Sequence, residues 1–196
     1  MVRKEIKTIC VYCGSSMRVS QSYKDGAARL GELLGKNDYD VVYGGGNVGL
    51  MGITATSALD NGADVIGIIP THLSERETAH DHLTELHTVE TMHERKQMMV
   101  DRADAFVIMP GGLGTMDEFF EIFTWWQLGL HDKPIIIINV EGYWTPLLGL
   151  VQNIATAGFC SQSDYDHLIV LDKIEDIIDA LKTAPVEKND PKTKWI

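Results

Sequence analysis

A chain of 196 residues, 44% hydrophobic and 23% charged, fits one domain with a sizeable core and excludes collagen-like, coiled-coil and disordered classes. Seventeen Lys and Arg against 28 Asp and Glu leave a formal net charge of -11, so the overall field repels polyanions and no nucleic-acid partner is expected. Three cysteines are too few for a secreted disulfide framework, and no apolar run approaches the ~18 residues of a membrane span; reducing, cytoplasmic surroundings and no membrane partner are expected.

In chain order, the first apolar run, IKTICVYCG from Ile6, reads as a strand. It holds Cys10 and Cys13, but zinc needs a second pair and only Cys160 is left, so packing is their expected role. Tyr23, Ala27, Leu30 and Leu34 then recur at helical spacing, with Gly35 placed to close the helix. DVVYGGG and DVIGIIP follow as strands. From Thr71 to Val89 the rhythm breaks into a polar stretch with His72, His80, His82 and His87, which reads as an insertion over the strand ends. His80-Asp81-His82 resembles a metal site, yet without a third ligand at suitable spacing these are expected to be solvated loop residues, and no metal is expected.

Thr91-x-x-Glu94 has the form of a capping box, with Arg95 and Lys96 just inside the helix it opens. Cations near a helix N-terminus are disfavoured by the helix dipole, so this pair asks for an anionic partner. DAFVIMPGG, KPIIIINV and HLIVLD complete the strands, and APVEKNDPKTKWI reads as a frayed tail over 184–196. Apolar runs this continuous belong to strands covered on both faces. Alternation with helices therefore predicts one α/β domain over residues 1–183, a doubly wound parallel sheet of about six or seven strands flanked by helices, with function in the loops after the strands.

Two such loops are rich in glycine. The first, from Gly44 to Gly52, contains a formal G-x-G-x-x-G including Gly45 and Gly46, but Asp64 begins the next strand instead of ending it, which argues against a dinucleotide site. The second, Pro110-Gly111-Gly112-Leu113-Gly114-Thr115, exposes successive amides before a helical run, with Thr115 placed as N-cap: a phosphate cradle without the lysine of triphosphate loops. Thr115-x-x-Glu118 could be only a capping box, yet Glu118 lies one turn from the cradle beside Asp117, where a carboxylate could act on a bound ligand. The same run carries Phe119, Phe120, Phe123, Trp125, Trp126 and Leu128, more apolar angles than one helix face. A second cover is required, either the insertion or a C-terminal helix of the same chain, or a symmetric partner.

PGGLGTMDE matches the pattern PGGxGTxxE, and with MHERK, VYGGGNVGLMG, CVYCGSS and WWQLGLHDKP it resembles, in order and spacing from about Thr8 to Leu171, the LONELY GUY family of cytokinin riboside 5'-monophosphate phosphoribohydrolases. The resemblance implies a Rossmann-like fold, a homodimer, no cofactor, and hydrolysis of the N-glycosidic bond of a nucleoside 5'-monophosphate to free base and ribose 5-phosphate. It also implies Arg95 and Glu118 as the catalytic pair. Nucleotide contacts are implied at Ser15, Gly45, Gly46, Glu77, Lys96, Thr124 and the segment Gly111, Gly112, Leu113, Gly114, Thr115, Met116 and Asp117. Leu113 and Asp117 stand where plant-like members carry an aromatic residue and Glu, so both AMP and an isopentenylated substrate stay open. Two other readings use the same loops: a non-catalytic nucleotide or molybdenum-cofactor carrier, and an NAD-dependent oxidoreductase. A lysine decarboxylase label has been attached to such proteins, but nothing in the sequence argues for the pyridoxal Schiff base that chemistry needs.

Overall fold

The computed structural model describes residues 5–74 and 80–185. Among them seven strands form one sheet in the order β4-β3-β2-β1-β5-β6-β7. The strands are β1 (Thr8–Tyr12), β2 (Asp40–Tyr43), β3 (Val65–Pro70), β4 (Glu85–Val89), β5 (Ala105–Ile108), β6 (Ile135–Ile138) and β7 (Ile169–Leu171), and every pairing is parallel. Parallel neighbours need crossovers, and these contain α1 (Gln21–Lys36), α2 (Gly49–Asp60), the single turn α3 (Thr71–Ser74), α4 (Met92–Arg102), α5 (Leu113–Gln127), α6 (Thr145–Thr156) and α7 (Gln162–Asp166); α8 (Ile177–Thr183) follows the last strand and packs back on the sheet. This is the expected doubly wound, Rossmann-like sheet.

Strand alternation splits the core in two. Ile9, Val11, Val41, Tyr43, Ala105 and Val107 face α1, α2 and α8; Cys10, Tyr12, Val42, Phe106 and Ile108 face α4, α5 and α6. Cys10 and Cys13 are buried free thiols, in the packing role expected of them. α1 and α2 touch through backbone, because a Cβ on Gly31 would lie 2.4 Å from the Thr54 carbonyl oxygen. Gly35 serves the same contact. The helix runs one residue past it, and the left-handed residue beyond its end is Asp38, at φ 60°.

Three expectations are corrected. The stretch from Thr71 to Val89 is not wholly an insertion, since Glu85–Val89 forms the edge strand β4, paired with β3 from Ile66↔Glu85 to Pro70↔Val89. It lacks a continuous apolar run because an edge strand is covered on few sides: Glu85, Leu86 and Thr88 are exposed and only Val89 is buried. His80 is buried, bonded through Nε2 to Thr56 Oγ1 at 3.0 Å, so it is not a solvated loop residue. The predicted N-cap Thr115 is the third residue of α5, whose N-cap is Gly112. Of the predicted tail, Ala184 is buried, and residues from 186 on lie outside the described ones.

Two buried histidines brace the C-terminal half of α5. His131 Nε2 donates to the Ile122 carbonyl at 2.8 Å while Nδ1 accepts from the Lys133 amide at 3.2 Å, which fixes a neutral ring. His167 stacks on Trp126 at 3.7 Å between ring centroids. Burial and the neighbouring His131 push His167 down to about 4, against weaker upward pulls from a Lys133 backbone group and Asp164. A folded-state pKa below the unfolded one means stability present above pH ~6.5 and lost as pH falls towards 4, by roughly 1.4 kcal/mol per pH unit for one proton. Urea midpoints measured from pH 7.5 to 4.5 should fall on that slope, and the slope should flatten in His167→Phe, which keeps a ring on Trp126.

Candidate active site

β1 and β5 lie side by side while their crossovers leave in opposite directions, opening a crevice at their carboxyl ends. Backbone bonds tie its rim: Gly14 N–H donates to Pro110 O at 3.0 Å and Leu50 N–H donates to Gly14 O at 2.9 Å. α5 starts in this crevice. Its N-cap is a glycine and makes no side-chain cap, so the first amides of the helix keep their dipole and donors for another partner. Thr115 turns under the loop instead, where a Cβ on Gly111 would come within 2.1 Å of its Oγ1. Thr115 and Glu118 thus form no capping box, and Glu118 is not engaged as a cap. In contrast Thr91 and Glu94 form the full reciprocal pair, Glu94 N–H donating to Thr91 Oγ1 at 3.1 Å.

Arg95 leaves the first turn of α4 and is 6% exposed. Nε donates to Ile68 O at 3.1 Å and Nη2 to Gly44 O at 2.9 Å, so the guanidinium is pinned to one carbonyl within β3 and one just after β2. Only glycine fits at 44, because a Cβ would sit 1.9 Å from Nη2. Arg95 Nη1 also faces Met92 Sδ at 3.8 Å, and the other N–H groups of the guanidinium are not needed for these bonds. Lys96 is the neighbouring cation, with Nζ 3.1 Å from Asp117 Oδ2 and 2.9 Å from Glu121 Oε1. Glu121 was not singled out in the sequence; its signal is the i, i+4 spacing from Asp117.

Glu118 lies on α5 one turn beyond the loop, half-buried. Burial pushes its carboxyl up to about 7; Arg95 and Lys96 pull against this, while Asp117 and Glu121 add to it. A carboxyl poised there can exchange a proton at neutral pH. Leu113 is 85% exposed at the mouth, and a Cβ on Gly112 or Gly114 would meet nothing within 4 Å. Met116, Asp117 and Thr124 line a groove of about 510 Å³ with Phe120, Glu121 and Trp125. Gly45 and Gly46 are buried, Gly45 at φ 76° with its carbonyl accepting from His80 N–H at 3.3 Å. Ser15 is exposed beside the start of α2. Glu77 lies outside the described residues. Among the described residues no three of His, Cys, Asp and Glu gather as a metal site would require. Tyr143, absent from the sequence reading, donates its hydroxyl to Gly111 O at 2.6 Å.

A family model described as "Possible lysine decarboxylase" matches residues 51–181. The cytokinin riboside 5'-monophosphate phosphoribohydrolase LOG3 of Arabidopsis thaliana is 40% identical over 182 residues, 93% of this chain and 85% of its own length. The enzyme of the same name from Rhodococcoides fascians is 41% identical over 178 residues, 90% of each chain. The chain belongs to the LONELY GUY family. A solved structure of the molybdenum cofactor carrier protein of Chlamydomonas reinhardtii superposes with a TM-score of 0.71, covering 92% of this chain and 98% of that one, at 16% identity, a likeness of fold alone. The decarboxylase wording finds no support at the LONELY GUY site, because a Schiff base needs a neutral amine. Burial works against the charge on Lys96, but the carboxylates of Glu121 and Asp117 outweigh it and hold its pKa above the ordinary value.

For Glu118 the folded-state pKa lies above the unfolded one, so its stability contribution is complete below pH ~4.5 and is lost as pH rises through 7. Titration of ¹³C-labelled glutamate carboxyls should show one group near 7, absent in Glu118→Gln and moved lower in Asp117→Asn. Above pH 7 the Gln variant should melt higher than wild type. A Glu118 signal titrating near 4 would contradict this account of the site.

Proposed function

We propose that this chain hydrolyses the N-glycosidic bond of nucleoside 5'-monophosphates, cytokinin ribotides among them, to free base and ribose 5-phosphate. The observation that carries the reading is an uncapped helix N-terminus with a proton-exchanging carboxyl one turn along it and a fixed guanidinium nearby. The 5'-phosphate sits on the amides of Gly112, Leu113 and Gly114, where the α5 dipole favours an anion despite the negative chain as a whole. Phosphate binding then fixes the sugar against Glu118, so energy from an unreacting group serves the reacting one. As the C1'–N bond breaks, its electron pair leaves with the base and positive charge spreads over C1' and the ring oxygen. The Glu118 carboxylate stabilises that charge and takes a proton from the water that bonds to C1'; the proton then passes to the departing base. Arg95, fork-shaped and anchored, orients the carboxylate or the ribose hydroxyls. The carrier and oxidoreductase readings lack this support, since neither requires both Arg95 and Glu118.

We also infer a homodimer acting in the cytoplasm. Phe120 and Trp125 of α5 are only half covered, Leu130 is exposed, and a groove of about 500 Å³ runs beside them along α4, lined by His93, Gln97 and Trp125 among others. The opposite side of α5 is covered within the chain, through Trp126 on His167. Symmetric pairing on the open side would bring the starts of α4 and α5, with Arg95 and Glu118, near the partner subunit. No helix among the described residues is long and apolar enough to cross a membrane.

Incubation with a panel of nucleosides and their 5'-monophosphates should release free base and ribose 5-phosphate from the monophosphates only, and Glu118→Gln should lower kcat by about 10²-fold or more. Equal cleavage of nucleosides would remove the phosphate role assigned to the loop. Light scattering should give a mass twice the 21.8 kDa of the chain; a fully active monomer would defeat the shared interface.

A further inference from the structure

Tyr143 stands outside every sequence motif of the site, yet its hydroxyl reaches the loop that opens α5. Its placement is built in several steps. After β6 the chain turns through Glu141 at φ 53° and Gly142 at φ 73°, two successive left-handed residues, the first of them non-glycine. Such a residue is strained, and it persists where the surroundings over-determine it. Here Asn139 at the end of β6 accepts the Trp144 N–H on its Oδ1 at 2.7 Å, and Trp144 is buried. The Tyr143 ring is held edge-on between Trp144, 4.8 Å away, and Tyr23 of α1, 5.5 Å away. Only its tip is directed at the loop, where it bonds Gly111 O at 2.6 Å.

The target of that bond needs restraint. Thr115 occupies the space a side chain at 111 would take, so residue 111 must be glycine. Residue 112 is glycine too, and the peptide between them has no Cβ on either side to oppose its rotation. In a trans peptide the C=O and N–H point in opposite directions, so holding Gly111 O towards Tyr143 turns Gly112 N–H away from it. Gly112 is the N-cap of α5, on the open side of the loop where a phosphate would be received. We propose that Tyr143 is a positioning residue for the 5'-phosphate: its hydroxyl latches the Gly111–Gly112 peptide with the Gly112 amide presented to the phosphate monoester. The hydroxyl itself touches no substrate atom. The same requirement explains why a strained turn is kept directly after β6.

This inference rests on the proposed reaction, and the test separates the two. Tyr143→Phe keeps both ring contacts and removes only the latch. KM for AMP and the calorimetric Kd for ribose 5-phosphate should each rise about tenfold, the scale of one well-placed hydrogen bond, with kcat within about threefold and the melting temperature nearly unchanged. KM and Kd within twofold of wild type would overturn the latch. So would a parallel loss in kcat and a large fall in melting temperature, which mark a merely structural tyrosine. Wild-type protein that binds ribose 5-phosphate but leaves the monophosphates intact would overturn the reaction, and calorimetry of the variant would still decide the latch. Wild type that binds no ribose 5-phosphate overturns both.

Discussion

Everything at the candidate site depends on one constraint of the sheet: β1 and β5 are hydrogen-bonded neighbours whose crossovers go to opposite faces. Their carboxyl ends cannot be closed by the connecting chain, so a crevice remains. Into it come the Gly14 turn, the 110–112 loop and the start of α5, fastened to each other through Gly14, Pro110 and Leu50. Arg95 takes two backbone carbonyls near these strand ends, that of Gly44 just after β2 and that of Ile68 within β3. A cation that the α4 dipole disfavours is thereby stabilised by these two carbonyls.

Arg95 and Lys96 stand at the crevice against the acidic balance of the chain. The protein carries a net -11, and Asp117, Glu118 and Glu121 lie close together in the first two-thirds of α5. Lys96 bridges the two outer carboxylates, while Glu118 is the one that burial drives up to about 7. The same burial that makes it able to exchange protons makes its ionised form unfavourable to the fold. Groups with strongly perturbed pKa values carry such a penalty, and the two buried cores around the sheet offset it.

Fold and chemistry separate cleanly in this molecule. A molybdenum cofactor carrier shares the architecture at 16% identity, so the sheet and its crevice do not by themselves specify a reaction. What distinguishes the LONELY GUY chain is which side chains the loops and first helical turns carry into the crevice. Two glycines make the room this arrangement needs. Gly44 clears the guanidinium, and Gly111 clears Thr115 beneath the loop that leads to Glu118.

By itself the sequence determined the class of fold, the six strands with continuous apolar runs, the Thr91 capping box and the two glycine-rich loops, because these are local patterns whose period or composition carries the signal. It also marked Arg95, Lys96 and Glu118, since a cation at a helix start and a carboxylate after a phosphate loop are anomalous in one dimension. Only the tertiary structure decided the rest. β4 is legible only through its pairing with β3, because an edge strand with Glu85, Leu86 and Thr88 exposed lacks an apolar run. Whether Thr115 caps α5 depended on space beneath Gly111, and whether His80 is buried depended on Thr56 of α2 lying beside it. Gly44 beneath Arg95, Glu121 on Lys96 and Tyr143 on Gly111 join residues 51, 25 and 32 positions apart. No local period encodes such pairs; they exist because a parallel sheet brings the ends of distant strands to one edge.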